Sequence, residues 1–248
     1  MGRPSGEVVS HGNVSGEDRG SGKMSELNWK AFGGLLNLLV CVGLAIFLPA
    51  WTLKYWQGWV FLGAFFLPVL AITLYLMKKD PSLLEKRVHA GVFAEKEKSQ
   101  KIIQAIAGLA FIATIALPAF DRRFSWSAVP VYCELSGDAL VLFGFLVVFL
   151  VFRVNTFASG AIEVASGQKV ISTGPYAVVR HPMYAGALVM LFGVPVALGS
   201  WWGLLTLIPM TIVLIWRLVD EERFLASNLP GYSEYRDRVR YRLAPLVW

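Results

Sequence analysis

The chain has 248 residues, of which 56% are hydrophobic and 16% are charged. Soluble domains usually contain roughly a quarter charged residues, so this composition excludes an ordinary water-soluble protein and indicates that lipid is the solvent. The formal net charge is +6, but the basic residues are grouped between long apolar runs. We therefore expect membrane lipids as a partner and no nucleic acid.

The first 28 residues are rich in glycine and serine and carry scattered charges. Such a segment has too few apolar side chains to offset the entropy lost on ordering. We therefore predict that residues 1–28 form a disordered tail. Met24 is an alternative start, so whether residues 1–23 belong to the native protein stays open.

Four apolar runs lie within residues 29–153. The runs 31–53, 55–77 and 102–120 contain no charge, and each is close to the roughly 20 residues that cross a bilayer as a helix. A fourth run extends from about residue 131 to 152. We predict four membrane spans here, with a basic cytoplasmic loop at residues 78–101.

The remaining region, residues 154–248, contains a stretch from 182 to 216 without any charge. One helix of that length would exceed the roughly 30 Å hydrocarbon core, so the stretch must fold back. We place the break at Gly199-Ser200, giving two short spans, either of which could be tilted or partly re-entrant. An amphipathic tail follows, with Tyr232 and Tyr235 on a side expected to lie on the membrane surface.

The fold predicted from these elements is an all-α, polytopic membrane bundle of about six spans. In this arrangement all but three of the 23 basic residues lie on one side, the exceptions being Lys54, Arg122 and Arg123. Because positively charged loops stay cytoplasmic, we expect both termini in the cytoplasm. A bacterial inner membrane is favoured over the endoplasmic reticulum, and the oligomeric state is open.

The first motif is TGPYAVVRHPMYAG, residues 173–186. Gly174-Pro175 predicts a turn, and Pro182 biases the backbone of His181 away from the helix, so backbone polar groups there become available to a ligand. An ordinary basic membrane boundary with an aromatic belt explains the same residues about equally well. The motif alone therefore leaves its function open.

The second motif is Arg217 followed by Glu221 and Glu222 at the end of the last span. Arg217 and Glu221 are four residues apart, so they share a helix face and can pair. Ionisable groups close to hydrocarbon are a functional hypothesis by default. The alternative is a pair of side chains that extend to the membrane interface.

Taken together, GPY, RHPMY, two spans, R-x-x-x-E-E and the tail PGYSEYRDRV resemble the isoprenylcysteine carboxyl methyltransferase family, which is related to the phospholipid N-methyltransferases. The clear resemblance covers residues 168–239. It implies a membrane methyltransferase that uses S-adenosylmethionine without a Rossmann domain. The cofactor site would lie at the cytoplasmic ends of the last two spans.

The resemblance also implies roles for individual residues. Arg217 would face the methyl acceptor and, with Glu222, is predicted to be catalytic; no metal is implied. The residues expected at the cofactor are Gln168, Lys169, Val170, Ile171, Tyr176, His181, Pro182, Met183, Tyr184 and Glu221. S-adenosylmethionine requires a carboxylate, hydrogen-bond donors and aromatic faces, and these residue types include all three.

The expected acceptor is lipophilic or membrane-associated and reacts through a carboxylate, an amine or a thiol. Two alternatives remain at this stage. A small transporter would explain the broken helices near Gly174-Pro175 and Pro195, and a non-catalytic membrane scaffold would keep the fold without the reaction.

Overall fold

The computed structural model of the protein describes residues 14–89, 98–158, 160, 162 and 164–248. Within these ranges the chain forms helices and no strand, which confirms the all-α prediction. The α-helices are α1 (Val14–Ala50), α2 (Trp56–Lys79), α3 (Pro81–Val88), α4 (Lys98–Phe124), α5 (Val131–Val154), α6 (Pro182–Ala197), α7 (Leu207–Asn228) and α8 (Tyr232–Arg238). Short 3-10 helices occur at Gly174–Ala177 and Trp202–Thr206.

The described helices include five that are long and apolar enough to cross a membrane: Met24–Ala50, Trp56–Lys79, Gln100–Phe124, Val131–Val154 and Trp202–Asn228. The α6 helix is also apolar, but it has only 16 residues. At about 1.5 Å per residue it spans roughly 24 Å, less than the roughly 30 Å hydrocarbon core. The protein is thus a polytopic membrane bundle, and of the six predicted spans α6 is the short one.

The α1 helix extends into the segment predicted as a tail. It begins at Val14, so residues 14–28 are helical here, and residues 1–13 lie outside the described part. Leu27 and Ala31 are buried in a cluster with Leu83 and Leu84 of α3. Burial of these apolar side chains against another helix offsets the conformational entropy that is lost when the segment becomes ordered.

The α3 helix begins where the sequence indicates. The Asp80 carboxylate accepts a hydrogen bond of 3.0 Å from the Leu83 amide, and Pro81 occupies the first turn. This combination is a standard helix start, because it satisfies an amide that has no helical partner. The rest of the predicted basic loop, from residue 90 to 97, lies outside the described part of the chain.

The α5 and α6 helices pack closely because glycines of one face glycines of the other. A Cβ atom placed on Gly137 would lie 2.3 Å from the backbone nitrogen of Ala197, and one on Gly144 would lie 2.6 Å from the carbonyl oxygen of Gly186. Neither contact leaves room for a side chain. Small residues that allow backbones to approach are a common basis of helix association in membranes.

The predicted break between the last two spans is confirmed. Gly199 adopts a φ of +73°, in the left-handed region that favours glycine, and α6 has ended by then. The buried Asp121 carboxylate accepts from the Ser127 amide (2.7 Å), from the Ser127 hydroxyl (2.6 Å) and from the Ser200 hydroxyl. The turn returns the chain, so the start of α6 and the end of α7 meet at one end of the bundle.

Candidate active site

A cavity of about 530 Å³ lies at the end of the bundle where α6 begins and α7 ends. Its walls are formed by α3, α4, the connection between α5 and α6, and the helices α6, α7 and α8. Its volume is within the roughly 300–1,000 Å³ that is usual for small-molecule and cofactor sites. The two sequence motifs, which are separated by the α6–α7 hairpin, therefore line one shared cavity.

Ten of the twelve residues predicted from the sequence line this cavity: Gln168, Lys169, Val170, Ile171, Tyr176, His181, Met183, Tyr184, Arg217 and Glu221. The other two do not line it. Pro182 is the buried first residue of α6, and Glu222 is buried behind the cavity wall.

Tyr176 lies in the 3-10 helix Gly174–Ala177 and is held from two sides. The Asn155 side-chain amide donates to its hydroxyl oxygen at 2.8 Å, and the Tyr235 hydroxyl donates to its carbonyl oxygen at 2.8 Å. Burial raises the pKa of Tyr176 to about 12. The phenol therefore stays protonated at neutral pH and remains a hydrogen-bond donor.

Glu222 is surrounded by three basic side chains. Its Oε1 lies 2.9 Å from Arg180 Nε, and the two groups form an ion pair that lacks hydrogen-bond alignment. The same oxygen lies 3.2 Å from His181 Nε2. Its Oε2 accepts from Arg242 Nε at 2.8 Å. These partners compensate the cost of burying the carboxylate. Because an ionised carboxylate only accepts, the Nε2 atom of His181 carries the hydrogen, and the ring is oriented by this contact.

Glu221 points to the other side of α7, where it lines the cavity. The Tyr184 hydroxyl donates to its Oε2 at 2.6 Å, which joins α6 to α7. The Tyr184 ring packs edge-on against His181, with ring centres 5.7 Å apart. Among the described residues that line the cavity, Glu221 is the only carboxylate.

Arg217 is oriented by neutral groups from two other parts of the chain. Its Nη1 donates to Gln100 Oε1 at 3.0 Å, and its Nη2 donates to the Gly160 carbonyl oxygen at 2.7 Å. Gln100 is buried, and its amide donates to Asp220 at 3.0 Å. Arg217 and Glu221 both line the cavity, which confirms that they share one helix face.

The prediction that the tail lies with its aromatic side on the membrane surface is wrong. Tyr232 and Tyr235 are 4% and 2% exposed, and they pack in a cluster with Leu229, Val170 and Tyr176. The cavity wall supplies the apolar partner that the prediction assigned to lipid. The spacing of the two tyrosines on one helix face indicated that both side chains are buried, but it did not indicate which surface they pack against.

Arg87 is a cavity residue that the sequence analysis missed. Its guanidinium lies 5.1 Å from the centre of the Phe152 ring, and burial lowers the pKa of Arg87. It lines the same cavity as Arg217. No local pattern indicated this, because a basic residue on a short amphipathic helix is usually exposed to solvent.

The cavity offers the groups that S-adenosylmethionine requires. Tyr232 is buried, lines the cavity, and its hydroxyl has no hydrogen-bond partner among the described residues. Buried polar groups are almost always paired, so this hydroxyl is suited to a ligand atom. Glu221 suits a positively charged group, and the arginines suit a carboxylate. In the described part of the chain, no group of three or more His, Cys, Asp or Glu side chains is placed to hold a metal ion.

Comparison with known proteins agrees with the site. A family profile described as phospholipid methyltransferase matches residues 133–230, which run from the start of α5 to just beyond α7 and contain both motifs. No curated protein matches the chain. The family resemblance predicted from the motifs is confirmed for this part of the chain: residues 133–230 match the phospholipid methyltransferase family.

Proposed function

We propose that the protein transfers a methyl group from S-adenosylmethionine to a lipophilic acceptor, and that both bind in the cavity between α6 and α7. The observation that carries the proposal is the convergence of ten motif residues on one cavity. They come from three separate parts of the chain. An ordinary membrane boundary would place such residues at the same depth but would not gather them around one cavity.

The cofactor is assigned to the part of the cavity lined by Tyr176, His181, Tyr184, Glu221 and Tyr232. When bound, it supplies an electrophilic methyl group. Glu221 would attract its positive charge, while the Tyr176 and Tyr232 hydroxyls would donate to its oxygen and nitrogen atoms. The residues of the chain orient the reactants and exclude water, and methyl transfer by direct displacement requires little more.

The acceptor is assigned to the part of the cavity where α4 and α7 contribute apolar walls through Ile103 and Val213. Arg217 and Arg87 line the same cavity and suit an acidic group, such as a phosphate or a carboxylate. The name of the matching family favours a phospholipid as the acceptor. Because both helices are among the membrane-spanning ones, we propose that the acceptor enters sideways from the bilayer.

The orientation follows from charge. Lys54, Arg122 and Arg123 lie at the end of the bundle opposite the cavity, and most other basic residues belong to segments at the cavity end. By the positive-inside rule, the cavity and both termini face the cytoplasm. Labelling of Ser227→Cys in sealed membrane vesicles, with the native Cys41 and Cys133 replaced by serine, checks this orientation.

The proposal is tested by binding and by transfer. Detergent-solubilised protein is titrated with S-adenosylhomocysteine by calorimetry, and it is then incubated with methyl-labelled cofactor and a total lipid extract. We expect micromolar binding and a labelled lipid product. Glu221→Gln should weaken binding about tenfold or more, because it removes a charge inside the site.

The matched control is Glu234→Gln on the exposed surface of α8, which should bind as the wild type does. Absence of binding to the wild type contradicts the proposal and favours a transporter. Binding without a labelled product from any extract favours the non-catalytic scaffold.

A further inference from the structure

The segment after α8 crosses the start of α6 as a strap, residues 239–248. The Arg180 amide donates to the Tyr241 carbonyl oxygen, and the His181 amide donates to the Arg242 carbonyl oxygen, both at 2.9 Å. Amides at the start of a helix have no helical carbonyl to reach, so they need partners from elsewhere. The strap supplies these partners at the two residues that precede Pro182.

The side chain of Arg242 extends this contact to Glu222. Its Nε donates to Glu222 Oε2 at 2.8 Å. The guanidinium also lies 4.8 Å from the centre of the Trp248 ring, and the Arg242 amide donates to the Trp248 carbonyl oxygen at 2.8 Å. Trp248, at the end of the same strap, therefore fixes Arg242. Arg242 in turn holds the buried Glu222 carboxylate.

Glu222 in turn orients the cavity wall. Its second oxygen, Oε1, contacts both Arg180 and His181, and His181 lines the cavity. Without Arg242, Oε2 would lose the hydrogen bond that fixes the plane of the carboxylate. Glu222 would then be free to turn, and His181 would lose the fixed partner for its Nε2 atom.

We infer that Arg242 is a positioning residue for cofactor binding, which acts through Glu222 on Arg180 and His181. The inference rests on the proposed function, since it assumes that the cofactor binds beside His181. It goes beyond the family match, because the strap lies after residue 230, where that match ends. Arg242 itself does not line the cavity.

The experiment measures the Kd of S-adenosylhomocysteine for the full chain in detergent. Arg242→Met keeps the aliphatic stem beside Trp248 and removes the donor. It should raise Kd about tenfold, which corresponds to a loss of about 1.4 kcal/mol of binding free energy. Arg242→Lys keeps a cation near Glu222 and should recover part of the loss. The matched control Arg240→Met alters an exposed arginine of the same strap and should leave Kd unchanged.

A double-mutant cycle separates positioning from a general effect on folding. If Arg242 acts through Glu222, then Arg242→Met adds little to the loss caused by Glu222→Gln, because the two changes break the same contact. Additive losses, or an unchanged Kd in Arg242→Met, would overturn the inference. If Arg242→Met does not fold, Arg242→Lys decides: a Kd raised at least threefold supports the inference and a wild-type Kd rejects it. Absence of binding in the wild type would instead refute the proposed function.

Discussion

The Tyr184 hydroxyl donates a 2.6 Å hydrogen bond to the Glu221 carboxylate, a residue 37 positions further along the chain. This bond connects the first turn of α6 to the cavity face of α7. It also links the two sequence motifs, which are separated by the apolar hairpin. The geometry of the cavity thus depends on a contact between residues from both motifs.

Tyr184→Phe should weaken binding of S-adenosylhomocysteine by about tenfold. The variant keeps the ring that packs on His181 but removes a hydrogen bond to a charged group, which typically contributes about 1.5–3 kcal/mol. Calorimetric titration measures the change. Tyr132→Phe, an exposed tyrosine at the start of α5, is the control, and an equal loss in both variants would contradict a specific role for Tyr184.

Arg217→Lys should raise the KM for the lipid acceptor and leave the Kd of S-adenosylhomocysteine within about twofold of the wild type. Lysine keeps the charge, but it cannot reproduce the planar fork that contacts Gln100 and Gly160. Initial rates at increasing concentrations of the lipid extract give KM. Arg223→Lys on the exposed side of α7 is the control. If the change instead weakens cofactor binding alone, the assignment of Arg217 to the acceptor is wrong.

Asp121→Ala should lower thermal stability without changing the cavity. The carboxylate accepts hydrogen bonds from Ser127 and Ser200 at the opposite end of the bundle. Each buried group left without a partner costs about 1–3 kcal/mol, and each kcal/mol lowers Tm by roughly 2–4 °C in a chain of this size. Thermal unfolding in detergent measures the shift. Asp237→Ala, exposed on α8, should leave Tm unchanged, and equal shifts in both variants would argue against this role for Asp121.

Gly137→Ala should strongly destabilise the bundle or prevent its accumulation. The added methyl group would lie 2.3 Å from the backbone of Ala197, and neither helix backbone can move aside cheaply. Gly63→Ala is the matched control, because nothing lies within 4 Å of a methyl group there. Yield of monodisperse protein and Tm provide the comparison. Similar behaviour of the two variants would mean that the α5–α6 contact is not tightly packed.

Much of the architecture could be read from local patterns. The apolar runs located α2, α5 and the described spans of α1 and α4, since the length of an apolar stretch is itself the requirement for crossing a bilayer. Asp80-Pro81 marked the start of α3, and Gly199-Ser200 marked the turn after α6. Each of these features depends on residues that are neighbours in the chain.

The site was only partly predictable. The motifs identified ten cavity residues, but they assigned Glu222 a catalytic role, whereas its contacts are with Arg180, His181 and Arg242. Two successive acids on a helix point in different directions, and composition does not say which one faces a cavity. Only the packing of α7 distinguishes them.

By itself the sequence determined that this protein lies in the membrane, that its helices turn back at Gly199, and that it carries the motifs of a methyltransferase family. The tertiary structure alone decided that Arg87 enters the cavity, that Tyr232 is buried in its wall, and that Arg242 holds Glu222. The physical reason is sequence distance. These contacts join segments that are far apart in the chain, so they follow from how the helices pack rather than from any local spacing of residue types.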